Sequence, residues 1–210
     1  MKPSPRPYHH GNLRQALLHA AEAALEARGV EHLSLRELSR ELGVSHASPQ
    51  RHFATKQDLL DALAIMGFER LSSVIAKAAE ARSEDFDARL TKAAFAYVGF
   101  ALKYPALFAL MFEAKRRPGM RPELRTALMA AFSHIPKILK EGQDAAKIVA
   151  GDPDRLALTI GAALHGLVAM SIEGKIRGAP LKAIVPETVQ HVLKGLAQTK
   201  LDTLHCHCTR

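Results

Sequence analysis

Cysteine is nearly missing from this chain: its 210 residues hold two, Cys206 and Cys208, both among the last five positions. No disulfide framework can be built from them, which suits a reducing cytoplasm. The first twelve residues, MKPSPRPYHHGN, contain no apolar core, so no secretory signal is expected. The longest apolar run, Leu156 to Ile172, is interrupted by Thr159, His165 and Ser171. It falls short of the ~20 residues that cross a bilayer, which predicts a buried helix and no membrane partner. Also missing are a Gly-rich phosphate loop, paired catalytic carboxylates and a nucleophile elbow, so neither an enzyme nor a cofactor is expected. No stretch alternates with period two. With alanine and leucine dominant, the fold class expected is all-α.

Basic charge is present, at a net +8 and a pI near 9.7, and suits a polyanionic partner. Placement says more than the total. Over residues 1–56 eight Lys and Arg face five acids, and Arg36, Arg40, Arg51, His52 and Lys56 cluster around one stretch, Leu33 to Leu59. Ser34 and Glu37 have capping-box spacing. Leu35, Leu38 and Leu42 form an apolar face over two turns, and Gly43 supplies the backbone freedom of a helix end. Ser45 then caps a short second helix, His46 to about His52. That layout predicts a helix-turn-helix, whose second helix enters a DNA groove. Thr55 and Asp58 repeat the capping-box spacing and open a long helix to about Glu80, with Leu60, Leu63, Gly67, Leu71, Val74 and Ala78 as its stripe.

Before this stretch, Asn12 caps a helix to about Arg28, preceded by a flexible basic arm. After it come helices from Phe86 to about Lys103 and from Pro105 to about Ala114, which carry most of the aromatics. Lys115-Arg116-Arg117 with Pro118 and Gly119 reads as a solvated turn. A helix from Pro122 must kink or split at Pro136. Pro153 opens the most apolar helix, to about Lys175, whose Ala157, Gly161, Ala162, Gly166 and Ala169 let another helix approach closely; apolar nearly all round, it is more than one protomer's neighbours are expected to cover. A last helix runs from Pro186 to about Lys200, with Val189, Leu193 and Leu196 as its stripe and Val192 beside them. About nine helices result in total: a three-helix N-terminal domain over residues 1–58 and a helical bundle over 59–210.

Residues 12–60 resemble the DNA-binding domain of the TetR family of bacterial transcriptional regulators. The likeness runs through Ala20-Ala21, Gly29, Ser34-Leu35-Arg36-Glu37-Leu38, Gly43-Val44-Ser45, His52-Phe53, Lys56 and Leu59-Leu60. Tyr8 to Leu13, Ser45 to Pro49 and His165-Gly166 are similar to a subgroup with a Trp-His-Gly signature, although Leu164 stands at the Trp position. The resemblance implies a cytoplasmic homodimer on a palindromic operator, most often a repressor, released by a small, lipophilic effector and performing no catalysis. Dimerisation is expected through the helices near 153–175 and 186–200.

Within this reading His46, Ala47 and Ser48 reach base edges, Ala47 against a thymine methyl. Ser34, Arg36, Ser45, His52 and Lys56 meet phosphates, with the helix start at Lys56 adding amide donors. The family usually carries Tyr where this chain has Gln50, which can donate to phosphate or read adenine. Phe95, Phe112 and Met129 are expected as apolar walls of an effector cavity, with His165 as its polar group. The tail His205-Cys206-His207-Cys208 has metal-ligating residue types, but four consecutive residues at a chain end do not wrap one tetrahedral ion, so no metal is expected. The competing readings are an all-helical enzyme and an effector-free architectural protein.

Overall fold

The computed structural model describes residues 13–80, 85–176 and 180–196. The basic arm, the Asn12 cap, Gly178 and the His205–Cys208 tail lie outside the described residues. Among the described residues all regular structure is helical. The α-helices are α1 (Leu13–Arg28), α2 (Leu35–Glu41), α3 (Ala47–Gln50), α4 (Lys56–Ala79), α5 (Phe86–Lys103), α6 (Pro105–Arg116), α7 (Pro122–Phe132), α8 (His134–Asp144), α9 (Pro153–Ile172) and α10 (Leu181–Gly195), with a short 3-10 turn at Val30–His32. The tenth helix arises because the segment after Pro122 splits at Ser133. Pro136 thereby falls in the first turn of α8, where its missing N–H would have had no intrahelical partner.

Packing divides the described chain into two compact units. The first takes the residues up to Ser73 together with Gly99–Ala131; the second takes Val74–Val98 and the residues from Phe132 onward. The first buries Leu17 and Leu25 of α1, Leu38 of α2, Phe53, Leu59, Leu63, Phe68 and Leu71 of the α4 region, and Leu107 and Met111 of α6. α4 and α6 come close where α4 has no side chain: a Cβ on Gly67 would lie 2.5 Å from Met111 Sδ. Two glutamates on α1 fasten this unit. Glu22 takes both terminal nitrogens of Arg70, at 2.5 and 2.9 Å. Glu26 accepts from the backbone N–H groups of Ala106 and Leu107, at 3.2 and 2.9 Å. It thus places a carboxylate at the start of α6, where the Tyr104 cap offers no side-chain acceptor.

The second unit buries Ile75, Phe86, Leu90, Tyr97, Ile138, Leu139, Ile160, Leu164, Val168, Val185 and Val189. Here three expectations need correction. The inner stripe of α4 ends on Ile75 and Ala79, while Val74 and Ala78 are only half-buried. The last helix begins at Leu181 and keeps Pro186 inside it. That proline removes one helix bond, and the helix persists because its buried positions Val185, Val189 and Leu193 recur every fourth residue across the proline. Finally, α9 is not a buried helix in one protomer. It buries Ile160, Leu164 and Val168, leaves Leu158 73% exposed and Met170 and Ile172 about half exposed, and is 17% buried over its apolar window. It is the one helix among those described that is long and apolar enough to cross a membrane.

Candidate nucleic-acid interface

The helix-turn-helix is built by α2, the turn at Gly43 and α3. α2 ends with the Gly43 N–H on Arg40 O and the Val44 N–H on Ser39 O, at 3.3 and 3.0 Å. This pairing needs a left-handed residue, and Gly43 adopts φ +66° without a steric penalty. α1 packs against both α2 and α3. At the start of α2, Ser34 has the extended backbone of a cap but its side chain makes no capping bond, so the Ser34–Glu37 box does not close. The hydroxyl is left half-exposed.

α3 is shorter than expected, four residues with His46 as its cap. Pro49 is buried on the inner face, and its carbonyl accepts from both His52 and Phe53 N–H at 2.9 Å, the last helical-type bonds before the chain extends to Thr55. Opposite Pro49 the exposed residues are His46, Ala47 and Gln50, with Arg51 and His52 exposed just beyond. Ser45 does not cap an amide. Its Oγ lies 2.7 Å from Ser48 Oγ, so the pair has one O–H left to donate outward. Arg36 is exposed on α2.

A reciprocal box closes at the start of α4. Thr55 N–H and its Oγ1–H both reach Asp58 Oδ2 at 2.8 Å, and Asp58 N–H returns to Thr55 Oγ1 at 3.1 Å. These Thr55 bonds, with Arg121 adding to them, hold the Asp58 carboxyl below the usual carboxylate range. The chain's own carboxylate therefore serves this helix start. Lys56 is half-buried, and its Nζ donates to Glu31 O at 3.3 Å.

Beside α3 lies a surface cleft of about 410 Å³ that brings Gln50, Arg51 and His52 next to Asp58, Asp61 and Arg121. Phe53 forms its floor and carries the Arg14 guanidinium 5.3 Å above its ring. The basic turn after α6 is thus no free solvated turn. Arg121 pairs with Asp58 and, at 3.2 Å, with Asp61; Arg117 pairs with Asp61 at 3.1 Å. Arg117 Nε is buried without a partner, which costs about 1–3 kcal/mol. Sequence reasoning missed these arginines, since 56 to 63 positions separate them from their carboxylates and nothing local marks the pairing.

The four residues expected around an effector fall in different units. Phe112 stacks with Phe68 and Phe108 in the first, at ring-centroid distances of 6.1 and 4.7 Å, and Met129 is 69% exposed on α7. Phe95 and His165 belong to the second, where His165 Nδ1 lies 2.9 Å from Tyr97 Oη. Burial pushes the Tyr97 phenol well above its ordinary pKa, so it stays neutral in that pair.

Residues 17–63 match the family model of bacterial regulatory proteins of the tetR family, and residues 90–196 match the tetracyclin repressor-like C-terminal domain. A solved structure of a protein with unknown function from Rhodococcus is 43% identical, covering 92% of this chain and all of that one at a TM-score of 0.85. The TetR family regulator PfmR from Thermus thermophilus shares the fold at 19% identity, over 87% of this chain and 99% of its own, with a TM-score of 0.66. Among curated proteins, the nucleoid occlusion factor SlmA from Serratia proteamaculans is 28% identical over 80% of this chain and 87% of its own length. Matched by family models in both halves, the chain belongs to the TetR family of bacterial regulatory proteins.

Proposed function

We propose that the protein is a cytoplasmic transcriptional repressor that binds a palindromic operator as a homodimer and leaves it when a small, lipophilic effector binds. The observation that carries this reading is α3: buried through Pro49 on one side, it presents His46, Ala47 and Gln50 together on the other, in a chain of this family. His46, Ala47, Ser48 and Gln50 read base edges, the Ser45–Ser48 pair offering one donor. Ser34, Arg36, His52 and Lys56 hold phosphates, Lys56 by leaving the Glu31 carbonyl. Residues 1–58 bind DNA and residues 59–210 carry effector and dimer functions.

The dimer forms through α9 and α10. Support comes from the face of α9 that one protomer leaves open, where Gly161, Ala162, Gly166 and Ala169 permit close helix approach between Leu158 and Met170. Phe95 and His165 face the effector, with the Tyr97–His165 pair as its polar contact. The chain performs no catalysis. Selection from a randomised duplex pool tests the reading: enrichment of a palindrome, bound by a protein of twice the chain's mass in light scattering, is expected. Enrichment of no sequence would remove the regulator reading. A nucleoid occlusion role is the second reading, supported by the curated relatives; cells lacking the protein would then divide across unsegregated chromosomes.

A further inference from the structure

The cluster between the α6–α7 connection and the start of α4 has no part in the roles assigned so far. Its members are Arg117 and Arg121, from residues 117–121, and Asp58 and Asp61 on the first turns of α4. Asp58 uses its two oxygens for different tasks. Oδ2 closes the cap with Thr55, while Oδ1 accepts from Arg121. Asp61 is the shared member: Oδ1 takes Arg117 at 3.1 Å and Gln57 Nε2 at 2.8 Å, and Oδ2 takes Arg121 Nε at 3.2 Å. Its side chain is 12% exposed and that of Asp58 20%, so the bonds are shielded from solvent on the carboxylate side.

What the cluster holds is the segment that carries α3. From Asp58 the cap leads to Thr55, and the turn before Thr55 is tied back to α3 by the His52 and Phe53 N–H bonds to Pro49. A short rigid path thus joins the α6–α7 connection to Gln50 and Arg51. Charge decides between two roles for the arginines. Two guanidinium groups face two carboxylates, so the cluster has no surplus positive charge with which to hold a phosphate. Arg117 also keeps a buried, unpartnered Nε in order to reach Asp61, a cost expected where position matters more than local stability.

We propose that Arg117 and Arg121 are positioning residues for DNA binding: through Asp61 and Asp58 they set the placement of α3 from the α6–α7 connection. This rests on the DNA-binding reading given above. The test compares wild type with Arg121→Gln, Arg121→Lys and Asp61→Asn, which retains an acceptor for Gln57. Affinity is measured for the duplex that wild type enriches from a randomised pool and for a random duplex, over a salt series, on protein shown by thermal unfolding to be folded. Arg121→Gln and Asp61→Asn are expected to lower the preference for the enriched duplex about tenfold, the scale on which residues in one network couple. Combined, they should lose little more than either alone. The salt slope should stay unchanged, and Arg121→Lys should restore most of the preference.

Equal weakening on both duplexes, with a salt slope shallower by about one, would identify Arg121 as a phosphate contact and overturn the proposal. So would variants that melt lower yet keep the wild-type preference, because the cluster would then only stabilise the fold. Wild-type protein that enriches no duplex overturns the DNA-binding reading itself, and is distinguishable from both.

Discussion

The part of α4 in the first unit and α9 in the second are both long apolar helices, and the two units use them in opposite ways. α4 buries Leu59, Leu63, Ala64, Phe68 and Leu71 almost completely. α9 buries three side chains and turns Leu158, Met170 and Ile172 outward. Glycine follows the same division. Gly67 on α4 faces Met111 with no room for a methyl group, whereas Gly161 and Gly166 on α9 have nothing within 4 Å. In the first unit small residues serve packing already completed within the protomer. On α9 they border open space, which is the arrangement a second helix requires. The difference teaches that similar composition marks a core helix in one place and, in another, an open apolar face, the one proposed above as the dimer contact.

The largest expected effect separates these roles. Leu63→Ala, at a fully buried site, should lower unfolding stability by about 2–5 kcal/mol in chemical denaturation. Leu158→Ala, at a site 73% exposed, should change the stability of the dilute protomer by less than ~0.5 kcal/mol and instead raise the dimer dissociation constant in light scattering. A stability loss at Leu158 as large as that at Leu63 would break the comparison. Next in size is the glycine pair. Gly67→Ala should cost about 1–3 kcal/mol through overpacking against Met111. Gly166→Ala should raise protomer helix stability by about 0.5–1 kcal/mol while weakening the dimer. If both substitutions stabilise, α4 and α6 do not approach as closely as Gly67 indicates.

Much of this was legible in the sequence because it rests on short-range spacing. The helix-turn-helix follows from leucines three and seven apart and from a glycine at the one place where φ must be positive. The Thr55–Asp58 box formed as its spacing predicted. The same spacing at Ser34 and Glu37 did not produce a capping bond, since spacing permits a side-chain bond without compelling one. Prolines were legible as constraints but not as boundaries. Pro136 was absorbed by restarting a helix two residues before it, and Pro186 was carried inside a helix for the burial of Val185. The Arg117 and Arg121 pairs were illegible because no local rule joins a basic turn to carboxylates 56 to 63 positions earlier. The open face of α9 was legible in part: a helix apolar nearly all round exceeds what one protomer's neighbours cover, but periodicity does not say which side stays open.

Helix ends sharpen the contrast between the units at smaller scale. α2 leaves through Gly43 at φ +66°, and α8 leaves through Ala146 at φ +54° with the equivalent bonds, Ala146 N–H to Gln143 O and Lys147 N–H to Gly142 O. A side chain in this region costs about 1–2 kcal/mol, partly offset by the entropy that glycine loses on folding. Ala146→Gly should therefore stabilise by about 0.5–1 kcal/mol, and Gly43→Ala should destabilise by a similar amount. Thermal unfolding of the two variants checks the signs, and a loss at Ala146 would show that its methyl group packs usefully.

The smallest effect concerns the helix starts, and pH reads it. α9 begins with Asp152 accepting from Asp154 N–H alone, whereas α4 begins with the reciprocal Thr55–Asp58 box joined by Arg121. Asp58 sits below the ordinary carboxylate value of 3.8, chiefly because of the Thr55 bonds. A carboxyl whose folded pKa is depressed contributes all of its stabilisation above the unfolded value and loses it as pH falls through the folded one. Asp58→Asn should then melt below wild type at neutral pH, with the gap closing as pH drops well below 3.8. Asp58 lies at the surface and its partner Arg121 is half exposed, so the charge is partly screened, the gap should be small and it should narrow further with salt. A gap that persists unchanged into acid would mean that the geometry of the cap, and not the charge of Asp58, secures the start of α4.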